Sequence, residues 1–278
     1  MTDRVFSTDW RRAPAPPRIR ENEIHVWRAQ LDPEQALLPG LEAILAPEEK
    51  SRAGRFVFPR DRVHFVAAHG ILRIILASYL SMPAKDVMFR YGPQKKPAIG
   101  LDHSESTVRF SLSHSHGLAV CAVARGREVG VDVEAIRPEV AGEDIAERFF
   151  SPRERAELRL LPPDRRVEGF FLCWTLKEAY IKARSVGLGI PLDSFDVSLM
   201  PGQPKGLISP DSDRWTLRSF QPAPRWMLRS FQPAPGYAGA VVGEGKNWEL
   251  RYWDWNLGHD FINTATYSAA GRKEISRG

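Results

Sequence analysis

The chain has 278 residues, 43% of them hydrophobic, with 39 basic against 34 acidic side chains and a net charge of +5. That length allows one large domain or two of ordinary size, and the composition supports a sizeable core. Two cysteines, both in apolar runs, read as buried thiols and do not indicate a disulfide framework. The small basic excess comes with no zinc-finger spacing, RNP-like motif or long basic run. It suits an anionic ligand or an acidic partner, and no nucleic acid is expected. No unbroken apolar run reaches the roughly 18 residues of a membrane span. The first twenty residues lack the apolar core of a signal peptide, so no membrane and a cytoplasmic location are the expectations.

In chain order, residues 1–22 read as a loose arm, with Pro14, Pro16 and Pro17 favouring extended backbone. Residues 23–31 alternate and predict a strand. Residues 33–55 have helical character broken by Pro39–Gly40 and Pro47, and residues 60–80 carry the broad apolar stripe of a helix. A short strand over 86–91 and a loop over 92–97 follow. Three strands are expected at 108–113, 118–124 and 128–136. Helices follow at 142–150, 151–161 and 164–184. Ser151-Pro-Arg-Glu154 carries a capping-box signature, and Gly187-Leu-Gly189 is a stop. Strands resume at 195–199, 215–220, 237–242 and 248–253.

The second half of this order roughly repeats the first. The pattern implies α+β, as two similar lobes that meet near residues 125–130. The expected parts are an arm over 1–22, lobes over 23–126 and 127–256, and a loose tail over 257–278. Arg214–Pro224 recurs as Arg225–Pro235 with one difference in eleven residues. Two copies make no solenoid. Eleven is odd, so one copy cannot extend the other's strand without reversing its buried face. One copy is expected in the sheet and the other in a hairpin or loop excursion.

Asp132 and Glu134, in Gly130-Val-Asp-Val-Glu134, share one face of their strand. Two like charges there need solvent or a cation. Glu178 and Lys182, in Trp174-Thr-Leu-Lys-Glu-Ala-Tyr-Ile-Lys182, share a helical face. A surface ion pair is the commoner use of that spacing, but Phe170–Trp174 is almost wholly apolar and draws the helix into a core. Three carboxylates without a suitable His or Cys pair suit a hard cation, magnesium above all. Lys177 and Lys182 beside such a site point to phosphate or pyrophosphate. Ser111-Leu-Ser-His-Ser-His-Gly117 reads as a polar loop donating to phosphate, with His116 an exposed turn residue. Strand neighbours point to opposite faces, which argues against a Ser-His hydrolase pair there. Arg52 and Arg62 lie in a basic region that is either a solvated face or a phosphate contact, and Lys96 in a loop has the same two readings.

These motifs resemble the long, single-chain, Sfp-type 4′-phosphopantetheinyl transferases. The likeness extends to Lys96–Pro97, Phe110-Ser-Leu-Ser-His114, Arg148–Glu154 and Gly187–Leu192. The resemblance implies transfer of the phosphopantetheine arm of coenzyme A to a serine of an acyl or peptidyl carrier protein, with release of 3′,5′-ADP. Asp132, Glu134 and Glu178 would hold Mg²⁺, and Glu178 would serve as base. Lys182 would contact the pyrophosphate. Ser113, His114 and Arg52 would bind coenzyme A phosphates, Lys96 would lie beside the adenine, and Lys177 would match a family lysine at the cofactor. The resemblance also implies two pseudo-symmetric α+β lobes, each a small antiparallel sheet packed with helices, with the ligand in the cleft between them, and a monomer is expected because one chain supplies both lobes. Glu49 and His64 stand where that family often has basic residues, so recognition of the 3′-phosphate is redistributed, with Arg62 a half-turn from His64. A metal-dependent phosphodiesterase acting on coenzyme A would use the same carboxylates, and an inactive coenzyme A-binding protein would share the fold.

Overall fold

The structure is a computed structural model that describes residues 9–13, 17–92, 96–100, 106–184, 190–197, 226–245 and 247–256. The fold class is α+β. The strands are β1 (Arg11–Arg12), β2 (Glu23–Gln30), β3 (Phe89–Tyr91), β4 (Pro97–Ile99), β5 (Val108–Ser115), β6 (Leu118–Arg125), β7 (Val129–Ala135), β8 (Trp226–Phe231), β9 (Tyr237–Glu244) and β10 (Glu249–Trp255). The α-helices are α1 (Leu38–Ala43), α2 (Pro47–Ala53), α3 (Pro59–Leu80), α4 (Glu143–Phe149), α5 (Pro152–Leu160) and α6 (Arg166–Arg184).

Two sheets carry the architecture, in the orders β1-β10-β2-β6-β5 and β7-β9-β8, with β3 and β4 a separate hairpin. Strand parity sorts the side chains into three cores. Ile24 and Val26 of β2, Val120 and Ala122 of β6, Val131 and Val133 of β7 and Val241 of β9 pack between the two sheets. The alternate residues of β2 and β6, such as Trp27, Ala119 and Cys121, pack with α3. Ala240 and Val242 of β9 pack with α6. The order of layers is therefore helix, sheet, sheet, helix. Full burial of each valine or leucine here is worth about 1.5–3 kcal/mol.

α3 spans 22 residues and is long and apolar enough to cross a membrane, yet 78% of that stretch is buried inside the protein. Counting only unbroken apolar residues hides this, because His69 and Arg73 interrupt the run. Arg73 is buried, and its Nε donates to Glu49 Oε2 at 2.7 Å while an Nη donates to the Val87 carbonyl at 2.7 Å.

Several local expectations change. Arg11–Arg12, in the arm expected to be loose, pair in parallel with β10. β10, expected with the second lobe, lies in the first sheet, parallel to β2. Its tryptophans Trp253 and Trp255 pack at the margin of the α3 core, and Leu250 and Tyr252 at that of the inter-sheet core, so the larger sheet partly covers both faces of the strand. Residues 84–86 form a 3₁₀ turn before β3, and Leu192–Ser194 another near the expected strand at 195–199. The second copy of the duplicated segment supplies β8, while the strand expected at 215–220, the stop at 187–189 and the tail at 257–278 lie outside the described residues.

Candidate active site

The site forms where the edges of the two sheets meet. β5 and β7 share no backbone ladder, since each pairs only with its own sheet. Serine side chains join them instead. Ser111 Oγ accepts the Val131 N–H at 3.1 Å, and Ser115 Oγ accepts the Ala135 N–H at 3.2 Å. The strands run side by side in the same direction, offset by twenty residues. His116 and Gly117, both at positive φ, make the tight turn from β5 to β6, and the Tyr237 hydroxyl donates across to the His116 carbonyl at 2.8 Å.

β7 buries Val129, Val131 and Val133 on one face, which turns Gly130, Asp132 and Glu134 to the other. α6 lies against that face. A methyl group at Gly130 would overlap the Ala179 carbonyl and the Ala183 amide, so only glycine admits this approach. The close contact carries Trp174, Glu178 and Lys182, four residues apart along one stripe of α6, over the acidic strand. An open cavity of about 430 Å³ results, lined by Leu112, Ser113, His114, Asp132, Glu134, Trp174, Glu178 and Lys182.

Within it, Lys182 pairs with Asp132 rather than with Glu178. Its Nζ lies 2.7 Å from Asp132 Oδ1 and 2.9 Å from Ser113 Oγ. Ser113 Oγ also donates to Asp132 Oδ1 at 2.7 Å. Asp132 Oδ2 is left buried without a hydrogen-bond partner. Burial, reinforced by repulsion from Asp132, raises the pKa of Glu178. Burial and then Asp132 also raise Glu134, against the hydrogen bond from Ser115. Carboxylates that crowd and disfavour one another's charge, with an orphaned oxygen among them, suit a hard cation. Among the described residues, no three acidic, imidazole or thiol groups stand close enough to hold a metal as they are. The oxygen-only carboxylate lining and the unsatisfied Asp132 Oδ2 have the donor chemistry of a hard-cation site.

His114 points to the opposite face of β5 from Ser113, toward α3. Desolvation by the concave wall, then the fields of His69, Lys182, His64 and Arg52, push its pKa down to about 4. An anion placed there would relieve those positive fields. Arg52 is exposed, with its guanidinium 5.2 Å from the Phe65 ring centroid, and Phe65 stacks on His69 at 4.0 Å.

Three expected ligand contacts lie elsewhere. Lys177 is fully buried on the far side of α6. Its Nζ donates to the Leu192 and Phe195 carbonyls, both at 2.6 Å, and pairs with buried Glu154 at 2.7 Å. Helical geometry forces this, because adjacent residues cannot share a face. The cofactor contact expected of Lys177 is therefore corrected to a structural anchor. Arg62 pairs with Glu42 at 2.7 Å and is absent from the cavity wall. Lys96 is held by Glu128 at 3.4 Å and by the Val129 carbonyl at 3.2 Å, outside the cavity wall. Glu49 likewise faces inward, accepting from Ala46 N–H and Arg73 and bonding His69. His64 is engaged by Asp32 at 2.9 Å. Trp174 and Leu112 were missed as wall residues. Trp174 was legible in principle, at one helical repeat before Glu178.

A family model described as the 4′-phosphopantetheinyl transferase superfamily matches residues 128–242, and one described as 4′-phosphopantetheinyl transferase, N-terminal, matches 29–126. The 4′-phosphopantetheinyl transferase HetI of a Nostoc species is 38% identical over 242 residues, covering 86% of this chain and 96% of that protein. The 4′-phosphopantetheinyl transferase Sfp of Bacillus subtilis is 28% identical over 170 residues, covering 61% of this chain and 73% of its own length. A holo-(acyl-carrier-protein) synthase structure from Bacillus anthracis aligns with 43% of this chain and 96% of that one, at 22% identity and a TM-score of 0.35.

Proposed function

The chain belongs to the 4′-phosphopantetheinyl transferase superfamily, and from that premise we propose that it moves the phosphopantetheine arm of coenzyme A to a serine of a carrier protein, with Mg²⁺, releasing 3′,5′-ADP. The observation that carries this reading is the single cavity wall shared by Ser113, His114, Asp132, Glu134, Glu178 and Lys182. Bound metal would supply a Lewis acid at the pyrophosphate, held by Asp132, Glu134 and Glu178.

The chain's own groups account for the rest. Lys182 is about one-third exposed, at 31%, and offers its ammonium to phosphate oxygens while Asp132 and Ser113 hold it in place. It stabilises the charge that grows on the departing 3′,5′-ADP. His114 and Arg52 face the α2–α3 side and suit the more distant 3′-phosphate. Glu178 takes the proton of the incoming serine hydroxyl, directly or through a water. Acidic carrier domains suit the positive net charge, and both walls of the cavity come from one chain, in keeping with a cytoplasmic monomer.

The test is incubation with carrier domains, coenzyme A and Mg²⁺, read by intact mass. The expected result is a phosphopantetheine mass increase on the carrier serine, lost with EDTA. No increase across a panel of carriers overturns the reading. Release of 3′,5′-ADP with no carrier present would assign hydrolysis of coenzyme A instead. Glu178→Gln should cut transfer by about 10²–10⁴-fold with the thermal midpoint unchanged. A wild-type rate in that variant removes Glu178 as base.

A further inference from the structure

Ser111, Ser113 and Ser115 project from one face of β5 and meet β7 at three successive rungs. The three hydroxyls do different things. Ser111 Oγ accepts a backbone N–H and touches no carboxylate. Ser113 donates to Asp132, which Lys182 also holds. Ser115 is buried and donates to Glu134 Oε2 at 2.8 Å while accepting the Ala135 N–H at 3.2 Å. A hydroxyl has one proton, and an ionised carboxylate can only accept. With Glu134 ionised the Ser115 proton goes to it, and the second lone pair of Oγ is left to His116 Nδ1, 3.2 Å away, as a donor. Among the described residues, the Ser115 bond is the one hydrogen bond to the Glu134 side chain.

We propose that Ser115 is a positioning residue for Glu134, pinning one carboxylate oxygen across the lobe junction so that the other faces the cation site. Asp132 has a serine and a lysine to orient it, whereas Glu134 has Ser115. Without that bond, repulsion from Asp132 and Glu178 acts on a freely rotating side chain and turns it toward solvent. The backbone of β7 cannot compensate, because its ladder partner β9 lies on the other edge. Ser115 thus couples the meeting of the two sheets to the geometry of an acidic ligand. This inference rests on the proposed magnesium site.

Its test is direct Mn²⁺ binding by the full chain, with and without coenzyme A, read as free Mn²⁺ by electron paramagnetic resonance. Ser115→Ala should weaken Mn²⁺ binding by about tenfold or more. Ser115→Thr, which keeps the hydroxyl, should return affinity to within about threefold of wild type. Ser111→Ala is the structural control: it loses a rung of the same junction, and should lower the thermal midpoint without moving Mn²⁺ affinity. In the transfer assay, Ser115→Ala should raise the Mg²⁺ needed for half-maximal rate while KM for the carrier holds. If Ser115→Ala does not fold, Ser115→Cys, of similar size but a weak donor, should show the same loss. The proposal is overturned by wild-type Mn²⁺ affinity in the hydroxyl-free variant, by an equal loss in Ser111→Ala, or by a wild-type chain that binds no Mn²⁺. A wild-type chain that binds Mn²⁺ yet modifies no carrier sinks the transfer reading alone, and the Mn²⁺ titration still decides Ser115.

Discussion

Lys177 and Glu178 are adjacent in sequence and face opposite environments. Glu178 lines an open cavity, while Lys177 is sealed at 0% exposure with Glu154, itself at 0%. Glu154 also accepts the Val197 N–H at 2.7 Å and the Ser151 N–H at 2.9 Å, so the pair ties α5, α6 and residues 192–197 together. Breaking one half of a buried pair strands the other charge. Lys177→Met should destabilise the fold by about 3–5 kcal/mol in chemical denaturation. Adding Glu154→Gln, which keeps an acceptor for the backbone N–H groups but removes the charge, should recover part of that. A variant with normal stability and a raised KM for coenzyme A would restore Lys177 to the ligand. His25 shows the other way to bury a titratable group. Burial outweighs the attraction of Glu23 and lowers its pKa from 6.5 to about 4. Its Nδ1 meets the Tyr79 hydroxyl at 2.7 Å, which itself accepts from Trp27 Nε1 at 2.9 Å. The tyrosine proton therefore points to a neutral imidazole. Above pH 6.5 both folded and unfolded states are neutral at this site. As pH falls from 6.5 to about 4, the unfolded chain takes up a proton and the folded one does not, so stability declines through that window. The loss is on the order of 3 kcal/mol, and His25→Gln should flatten this part of the stability-versus-pH curve.

At the scale of elements, the decisive contact is α6 against β7 at Gly130. The helix approaches so closely that the glycine acts as a slot for its backbone. Gly130→Ala has to move the helix, because the clash is with backbone atoms that cannot rotate away. It should cost about 1–3 kcal/mol of stability and a larger share of transfer, since Glu178 and Lys182 ride on the same helix. Gly239→Ala is the informative contrast. A methyl there meets the Phe231 ring, at 2.8 Å, which is a side chain that can shift. Comparable destabilisation with activity retained is expected in that variant. Equal losses of activity in both would argue against helix placement as the cause. The β5–β7 junction follows a similar logic. Strand parity sends Ser113 toward Asp132 and His114 toward α3, so one dipeptide serves two ends of the cavity.

The whole molecule is four layers in which the smaller sheet is drawn from one stretch of the chain, β7 to β9, and the larger one is not. β10 returns from the C-terminal side to lie between β1 and β2. This return makes the larger sheet depend on what precedes it, including the duplicated segment. The second copy, Trp226–Phe231, pairs along β9 from Trp226–Glu244 to Phe231–Gly239. That strand is complete without the first copy. Deleting Arg214–Pro224 should therefore leave a folded protein with transfer within a few-fold of wild type, measured by thermal midpoint and carrier modification. A deletion that unfolds the chain would show that the first copy is part of the structure.

What the sequence determined by itself was local and periodic. Alternation placed Asp132 and Glu134 on one strand face, and helical spacing placed Glu178 and Lys182 on one helix face. The capping box at Ser151 and Glu154 marked where α5 begins, with Ser151 Oγ accepting the Glu154 N–H at 3.2 Å. Periodicity is a property of a single element, so one chain read in order reveals it. Three matters needed the tertiary structure. One was which face of α6 meets β7, and hence that Lys177 is buried while Lys182 is not. Another was that Asp132 is the partner of Lys182. The third was that β5 and β7 meet through serines with no ladder between them. Each depends on residues tens of positions apart brought into contact, and no spacing within one element encodes such a meeting.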